Sequence, residues 1–164
     1  MNDLADINNA ANGLVENIEN SNQILRTMTR VSKKAEKHID ILFAQYIIQK
    51  REIVKLINIL AEMTRKNKTL NVRILLPSPK FDEKDFPSDL NSNISIKYFD
   101  RHLNANTITS ILDSEFMYIL GFGSEDSNDH YRYFIQHVNN EPKLQVSIAL
   151  FERMWLLEKS VDFG

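Results

Sequence analysis

Apolar residues in the N-terminal part of the chain recur at intervals of three and four. No proline occurs between Leu4 and Ala35, and the repeat predicts a long N-terminal helix over residues 1–35. A 3.5-residue period held over several turns favours a coiled coil between two copies of the chain. The alternative is a single amphipathic helix that packs on its own domain. The positions of this repeat, called here the seam, are Leu4, Ile7, Ala11, Leu14, Ile18, Ser21, Leu25, Met28, Ser32 and Ala35.

The pattern changes beyond this helix, and residues 36–164 are predicted to form one α/β domain. The run IDILFAQYII, residues 39–48, is apolar on both faces and predicts a buried central strand. Residues 50–66 place their apolar side chains on one stripe of a helix, and VRILLP, residues 72–77, predicts a second strand. A strand, a helix and a strand of this combined length are typical of a parallel βαβ unit.

Further strands and a closing helix are predicted in the second half. ISIKYFD, residues 94–100, and YRYFIQHV, residues 131–138, each read as a strand. TITSIL and FMYILGF flank Asp113-Ser114-Glu115, which predicts a β-hairpin with a short polar turn. The last helix, which begins after Asn139, is apolar around much of its surface and is expected to be covered on two sides. The predicted fold class is a mixed, mostly parallel β-sheet flanked by helices, with a long N-terminal helix.

Composition excludes several classes of partner. The 164 residues suit a single domain, and a net charge of −2 argues against nucleic acid as a partner. The N-terminus lacks the basic start of a signal peptide, and no apolar run approaches about 20 residues, so a soluble, cytoplasmic protein without a membrane partner is expected. The chain has no cysteine, its four histidines are scattered, and no nucleotide-binding or serine-hydrolase motif occurs. No metal and no cofactor are predicted.

A polar run between two predicted strands is the first candidate for a ligand pocket. Ligands of open α/β sheets collect beyond strand ends, although a solvated loop has the same composition. The candidate residues of this run are Tyr98, Arg101, His102, Asn104 and Asn106.

A second candidate lies at the start of the closing helix. His137 ends a predicted strand next to Asn139 and Asn140, where backbone N–H groups and the helix dipole favour an anion. Capping of the helix by Asn140 explains the same residues without a ligand.

The closing segment carries a family resemblance. The sequence NNEPKLQVSIALFERMWLLEKSV contains an FE-x-[LM]-W core at Phe151, Glu152, Met154 and Trp155. It resembles the last segment of sensory domains in archaeal, chiefly thaumarchaeal, histidine kinases of two-component systems. The order of elements is similar to half of a phospholipase-D-type domain, as also found in effector domains of TrmB-like regulators. The resemblance covers residues 24–163 and implies a degenerate phospholipase-D-like fold.

Active phospholipase-D-type domains carry His-x-Lys-x-x-x-x-Asp before a hairpin. With Asp113 as the hairpin aspartate, Asn106 stands in the position of the nucleophilic histidine and Ile108 in that of the lysine. Residues 121–124, GFGS, and Asn128 look like the rest of the motif. An amide and a hydrocarbon support neither covalent nor electrostatic catalysis, so the resemblance implies that the chemistry is lost and that Asp113 remains as a turn former.

The resemblance therefore implies a non-catalytic sensory domain. It is expected to form a homodimer through the N-terminal helix, to bind an unknown small molecule or an output domain, and to signal through its terminal helices. Two alternatives remain open, namely a ligand-binding effector domain of a TrmB-like regulator and a phosphodiesterase with a cryptic site.

Overall fold

The computed structural model describes residues 15–18, 21–77, 86, 90, 93–100, 103–124, 131–139 and 141–158. Within these ranges seven strands and three helices follow one another along the chain. In order they are β1 (Val15–Ile18), α1 (Ser21–Ser32), β2 (His38–Phe43), α2 (Lys50–Lys66), β3 (Asn71–Pro77), β4 (Ile94–Phe99), β5 (Thr107–Leu112), β6 (Phe116–Ser124), β7 (Tyr131–Val138) and α3 (Glu141–Leu157).

The described strands form one mixed sheet in the order β1-β7-β6-β5-β2-β3-β4. Strands β2, β3 and β4 are parallel, and the predicted βαβ unit is confirmed. The remaining pairs are antiparallel, so the mixed α/β class is confirmed but parallel pairing is confined to three strands. The short polar turn explains the antiparallel pairing of β5 with β6, because a turn of this length joins only antiparallel strands.

The N-terminal region differs from the predicted continuous helix. Residues Val15–Ile18 pair with β7, which would otherwise be the edge strand of the sheet, and the helix begins only at Ser21. An edge strand presents unpaired backbone N–H and C=O groups, and these four residues satisfy them. Residues 1–14, which carry the first part of the predicted seam, lie outside the described residues.

Helix α1 packs on its own domain. Its Ile24, Met28 and Val31 are buried in the chain's own core, as the second interpretation of the seam requires. The coiled-coil dimer stays a prediction, since no partner chain is present. Within the described ranges, no helix combines the length and the hydrophobicity needed to cross a bilayer.

Two apolar layers lie on opposite faces of the sheet. The larger layer joins the sheet to α1 and α2, and the smaller layer joins it to α3. Alternate residues of β2 and β3 enter the two layers, which is why these strands are apolar on both faces. Leu144, Phe151 and Met154 bury one side of α3, whereas its Val146, Leu150, Leu156 and Leu157 are exposed.

Candidate functional site

The three parallel strands end together at one edge of the sheet, called here the carboxyl edge. It is formed by the last residues of β2, β3 and β4, namely Phe43, Pro77 and Phe99, and by Thr107 at the start of β5. The opposite edge, called here the amino edge, carries His38, Asn71 and the turn at Asp113. Ligands of open α/β sheets bind at the carboxyl edge, so it is the first candidate for a ligand site.

The loop that follows β2 is tied to the carboxyl edge by backbone carbonyls. Ala44 N donates to Thr107 O at 2.9 Å, and the Gln45 side chain donates to Leu103 O at 3.0 Å. The Tyr46 hydroxyl donates to Pro77 O, and the Tyr133 hydroxyl donates to Ile47 O at 3.1 Å. These bonds link β2, β3, β5 and β7 into one rigid rim.

The two phenols of this rim are held in their protonated, donating form. Burial raises the pKa of the Tyr46 phenol, and the nearby Tyr98 raises it further. Burial and the negative charge of Glu52 raise the pKa of Tyr133. Since both hydroxyls donate to carbonyl oxygens, neither is available as a general base at neutral pH.

Part of the first predicted ligand group lies at this edge. Tyr98, at the end of β4, is half-buried, and Asn104 and Asn106 are exposed before β5. The backbone oxygen of Asn106 accepts a hydrogen bond from Phe122 N at 3.0 Å. Arg101 and His102 lie outside the described residues. The described members of the group therefore share one edge, where Asn104 and Asn106 are exposed and the Tyr98 hydroxyl is buried.

The second predicted group lies at the amino edge and does not join the first. His137 pairs with Tyr118 across β6 and β7, near the Asp113 end of the hairpin. Its ring stacks on Tyr118, with centroids 4.6 Å apart and an interplanar angle of 9°. Asn139 is exposed, and Asn140 lies outside the described residues. The described members of the two predicted groups thus do not form one pocket.

His137 is held in its neutral form. Burial lowers the pKa of its imidazole, and the ammonium of Lys34, which donates to the Tyr118 hydroxyl at 3.0 Å, lowers it further. The Nε2 atom is buried without a hydrogen-bond partner among the described residues. A neutral, stacked imidazole gives no support to the anion site that was predicted for this position.

Arg73 forms an ion-pair cluster that the sequence analysis did not single out. Its Nε and Nη2 donate to the two oxygens of Asp40 at 2.8 and 2.9 Å, and Nη2 also donates to Glu152. The guanidinium lies over the rings of Phe151 and Trp155, 5.0 and 5.4 Å from their centroids. The side chains of Asp40 and Arg73 are only 13% and 27% exposed, so both charges are largely removed from water.

This cluster explains the FE-x-M-W core of the closing helix. Phe151 and Trp155 stack on each other, and Glu152 pairs with Arg73 between them. Lys97 of β4 donates to Trp155 O at 2.7 Å and lies over its ring. The motif therefore docks α3 on the sheet. The sequence feature that indicates this ion-pair cluster is a pair of opposite charges inside two apolar strands. Asp40 in IDILF and Arg73 in VRILL lie opposite each other in the register of β2 and β3.

No family model and no curated protein sequence matches the chain, whereas solved structures do. NucT from Helicobacter pylori aligns with a TM-score of 0.61 at 12% identity, over 91% of this chain and 98% of that one. Nuc from Salmonella typhimurium, a phospholipase D family member, aligns with a TM-score of 0.54 at 12% identity, over 83% and 90%. The fold is phospholipase-D-like.

A third solved structure has a similar fold. TrmBL2, described as an archaeal chromatin protein with a novel mode of DNA binding, aligns with a TM-score of 0.53 at 12% identity. The match covers 90% of this chain and 55% of TrmBL2, so this chain spans about half of that protein. At such low identity these likenesses establish the fold alone.

The residues that the resemblance aligns with the phospholipase-D-type motif lie in and around β5 and β6. Asn106 is exposed just before the strand, whereas Ile108 is fully buried in the layer under α1 and α2. The ring of Phe134 leaves no room for a side chain at Gly121, in the GFGS segment, because a Cβ there would lie 2.2 Å from Phe134 Cζ. Asn128 lies outside the described residues. Among the described residues no group of three His, Cys, Asp or Glu side chains could hold a metal ion.

Asp113 does more than form the predicted turn. Asp113 and Ser114 have φ of 55° and 58°, as the hairpin requires. In addition, the Asp113 carboxylate accepts hydrogen bonds from the backbone N–H groups of Glu36, Lys37 and His38, at 2.9, 2.7 and 2.8 Å. It thereby anchors the segment that leads into β2. Burial raises the pKa of this carboxyl, but the three donors outweigh that effect and hold the pKa below its ordinary value.

Replacing Asp113 by asparagine should lower the free energy of unfolding by about 2 kcal/mol at neutral pH, because charge-assisted bonds are lost. Asparagine keeps the positive φ, so the change isolates the charge. Because the folded-state pKa is lowered, this stabilisation is complete above the unfolded-state value near pH 4 and is lost as the pH falls through the folded value. Urea unfolding between about pH 3 and 7 measures both effects. Glu115→Gln in the same turn is the control, and an equal effect there would contradict the assignment.

Proposed function

We propose that this chain is a regulatory domain that uses a phospholipase-D-like fold without phosphodiester chemistry. The observation that carries the proposal is the full burial of Ile108 at the position where the motif has its lysine. A hydrocarbon packed in the core can neither bind a phosphate oxygen nor stabilise charge in a transition state. The amide of Asn106 likewise cannot form a phosphohistidine-type intermediate.

The role of Asp113 supports the same proposal. Its two carboxylate oxygens are occupied by three backbone donors at the amino edge. Asn106 lies at the other end of β5, at the carboxyl edge. Retention of the aspartate is therefore explained by folding and needs no catalytic role.

The signalling context rests on the resemblance of the closing helix to sensory domains of histidine kinases. A sensor of this kind needs a ligand or partner that binds one arrangement of its helices better than another, since equal affinity shifts no equilibrium. Helices α1 and α3 lie on opposite faces of the sheet and are suited to transmit such a change. A homodimer through the N-terminal segment is part of this proposal.

A second candidate function is an effector domain of a TrmB-like regulator. The likeness to TrmBL2 over 90% of this chain favours it. Such a protein also needs a helix that binds DNA. The sequence of this chain contains no basic recognition helix. Both candidates share the non-catalytic, ligand-responsive domain and differ in the output to which it is attached.

The enzyme alternative would need an imidazole and an ammonium facing one phosphate. His137 and Lys34 both contact Tyr118, and this is the observation in its favour. Against it, the ammonium already donates to the Tyr118 hydroxyl, and the imidazole is stacked with its Nε2 buried. These groups also lie at the edge opposite Asn106.

A hydrolysis assay with bis(p-nitrophenyl) phosphate separates these possibilities. The wild-type protein should release p-nitrophenol no faster than buffer, because the motif positions lack a nucleophile and a cation. The variants Asn106→Ala and His137→Ala are run beside it, and both should give the same background rate. Turnover in the wild type that either substitution removes would overturn the proposal and identify which edge carries the active site.

A further inference from the structure

An open cavity of about 390 Å³ lies at the amino edge, between the starts of β2 and β3, the Asp113 turn and α3. This size falls in the range of small-ligand sites. The described residues that line it all have polar or charged side chains, namely His38, Asp40, Asn71, Arg73, Ser114 and Glu152. The cavity is separate from the carboxyl edge, where the phospholipase-D-like motif begins.

The charged groups among the described lining residues leave an excess of negative charge. Arg73 is the one guanidinium among them, and it faces the two carboxylates of Asp40 and Glu152. Its Nε and Nη2 are already engaged by Asp40 and Glu152, and this pairing raises the pKa of Arg73 even though burial lowers it. An anionic ligand would therefore have to displace a carboxylate that is already in place.

Glu152 is the group best able to meet a ligand. Its side chain is 47% exposed, and Arg73 engages its Oε1. The hydrogen bond from Arg73 lowers the pKa of Glu152, so the carboxylate stays ionised. Three further lining residues, His38, Asn71 and Ser114, are exposed and can exchange hydrogen bonds with a polar ligand.

We propose that this cavity binds a small organic cation that carries a primary ammonium group. The ammonium donates to Glu152 and balances the excess negative charge, while Asn71 and Ser114 bind the polar remainder of the molecule. A metal ion fits less well, because no group of three His, Cys, Asp or Glu side chains within the described ranges could hold one. Rigid docking of α3 by Phe151 and Trp155 holds Glu152 in position.

This inference rests on the proposed function, because a regulatory domain of this kind responds to a ligand. The two can fail separately. Hydrolysis of a phosphodiester by the protein would contradict the proposed function, whatever ligand the cavity binds. If the protein hydrolyses no phosphodiester and binds no amine, this inference is wrong, and the regulatory domain has a different ligand.

The single tryptophan of the chain provides the measurement. Trp155 lies against Arg73, next to Glu152 of the cavity, so its emission should change when a ligand alters this ion-pair cluster. The probe is 1,4-diaminobutane, titrated at constant ionic strength because charge pairs are screened by salt. Inorganic phosphate, glucose and magnesium chloride are titrated in parallel. A saturable change with the diamine alone is expected, with a midpoint at or below about 5 mM.

Two substitutions with opposite expected effects locate the site. Glu152→Gln should weaken diamine binding about tenfold, because a charge-assisted bond is lost. Asn71→Asp adds a carboxylate to the lining and should tighten binding. Glu62→Gln, at an exposed ion pair on α2, should leave the midpoint unchanged.

The outcomes are decisive in either direction. If Glu152→Gln proves too unstable to assay, the tightening by Asn71→Asp decides alone. Three results would each overturn the proposal. The first is a midpoint that neither substitution changes, and the second is saturation by phosphate, glucose or magnesium instead of the diamine. The third is the absence of a saturable response to the diamine up to about 50 mM.

Discussion

Replacing Ile108 by lysine is expected to lower the free energy of unfolding by at least about 4 kcal/mol, which is a large part of the stability of a small domain. Ile108 is 0% exposed and pairs with Phe43 and Leu120 on its two neighbouring strands. An ammonium at this position would be removed from water without a partner, so the chain must either expose it or unfold. Urea unfolding followed by circular dichroism measures the loss.

The matched substitution is Asn106→His, two residues earlier. Asn106 is exposed, so a histidine there should change the stability by less than about 0.5 kcal/mol. The pair of variants therefore tests which of the two motif residues, histidine at 106 or lysine at 108, this fold accepts. A stable, folded Ile108→Lys protein would mean that the position opens to solvent, and this result would contradict the proposal that the fold is used without phosphodiester chemistry.

Replacing Arg73 by methionine is expected to cost about 3 kcal/mol, because it leaves the carboxylate of Asp40 largely buried without its partner. Methionine keeps the apolar stem over Phe151 and Trp155, so the loss reports the charge rather than the packing. Thermal and urea unfolding measure the change. The weakened docking of α3 should also shift the emission of Trp155 toward that of solvent-exposed tryptophan.

An exposed ion pair elsewhere in the chain provides the control. Arg65 pairs with Glu62 on α2, where the two side chains are 38% and 52% exposed. Arg65→Met should therefore cost no more than about 0.5 kcal/mol. If Arg73→Met loses stability because the carboxylate of Asp40 is left without a partner, adding Asp40→Asn to Arg73→Met should restore part of the lost stability. A double variant no more stable than Arg73→Met would point to lost packing instead.

The local pattern was enough to predict most elements of the fold. Helix α2 spans residues 50–66 as expected, since its apolar side chains fall on one stripe and Gln49 and Glu52 form a capping box. The hairpin at Asp113 was also predicted, because its turn residues accept positive φ. The strand Val15–Ile18 could not be predicted in the same way. Its conformation depends on the free edge of β7, more than 100 residues later in the chain.

The candidate site was harder to predict than the fold. The described residues of the polar run before β5 lie at the carboxyl edge, as the βαβ pattern implies for residues that follow a parallel strand, and their role in binding a ligand stays a prediction. The group around His137 was assigned to a ligand from its neighbours in sequence, but its ring contacts Tyr118 across the sheet. The Arg73 cluster was not singled out, because its three ionised side chains come from β2, β3 and α3.

The sequence by itself determined the order and type of nearly all elements, and it determined that an amide and a hydrocarbon stand at two motif positions. These properties depend on residues a few positions apart, whose periodicity and chemistry can be read directly. Only the tertiary structure decided that Ile108 is buried, that Asp113 anchors residues 36–38, and that Asp40, Arg73 and Glu152 meet at one cavity. Burial and ion pairing depend on which distant strands become neighbours, and no local pattern specifies that.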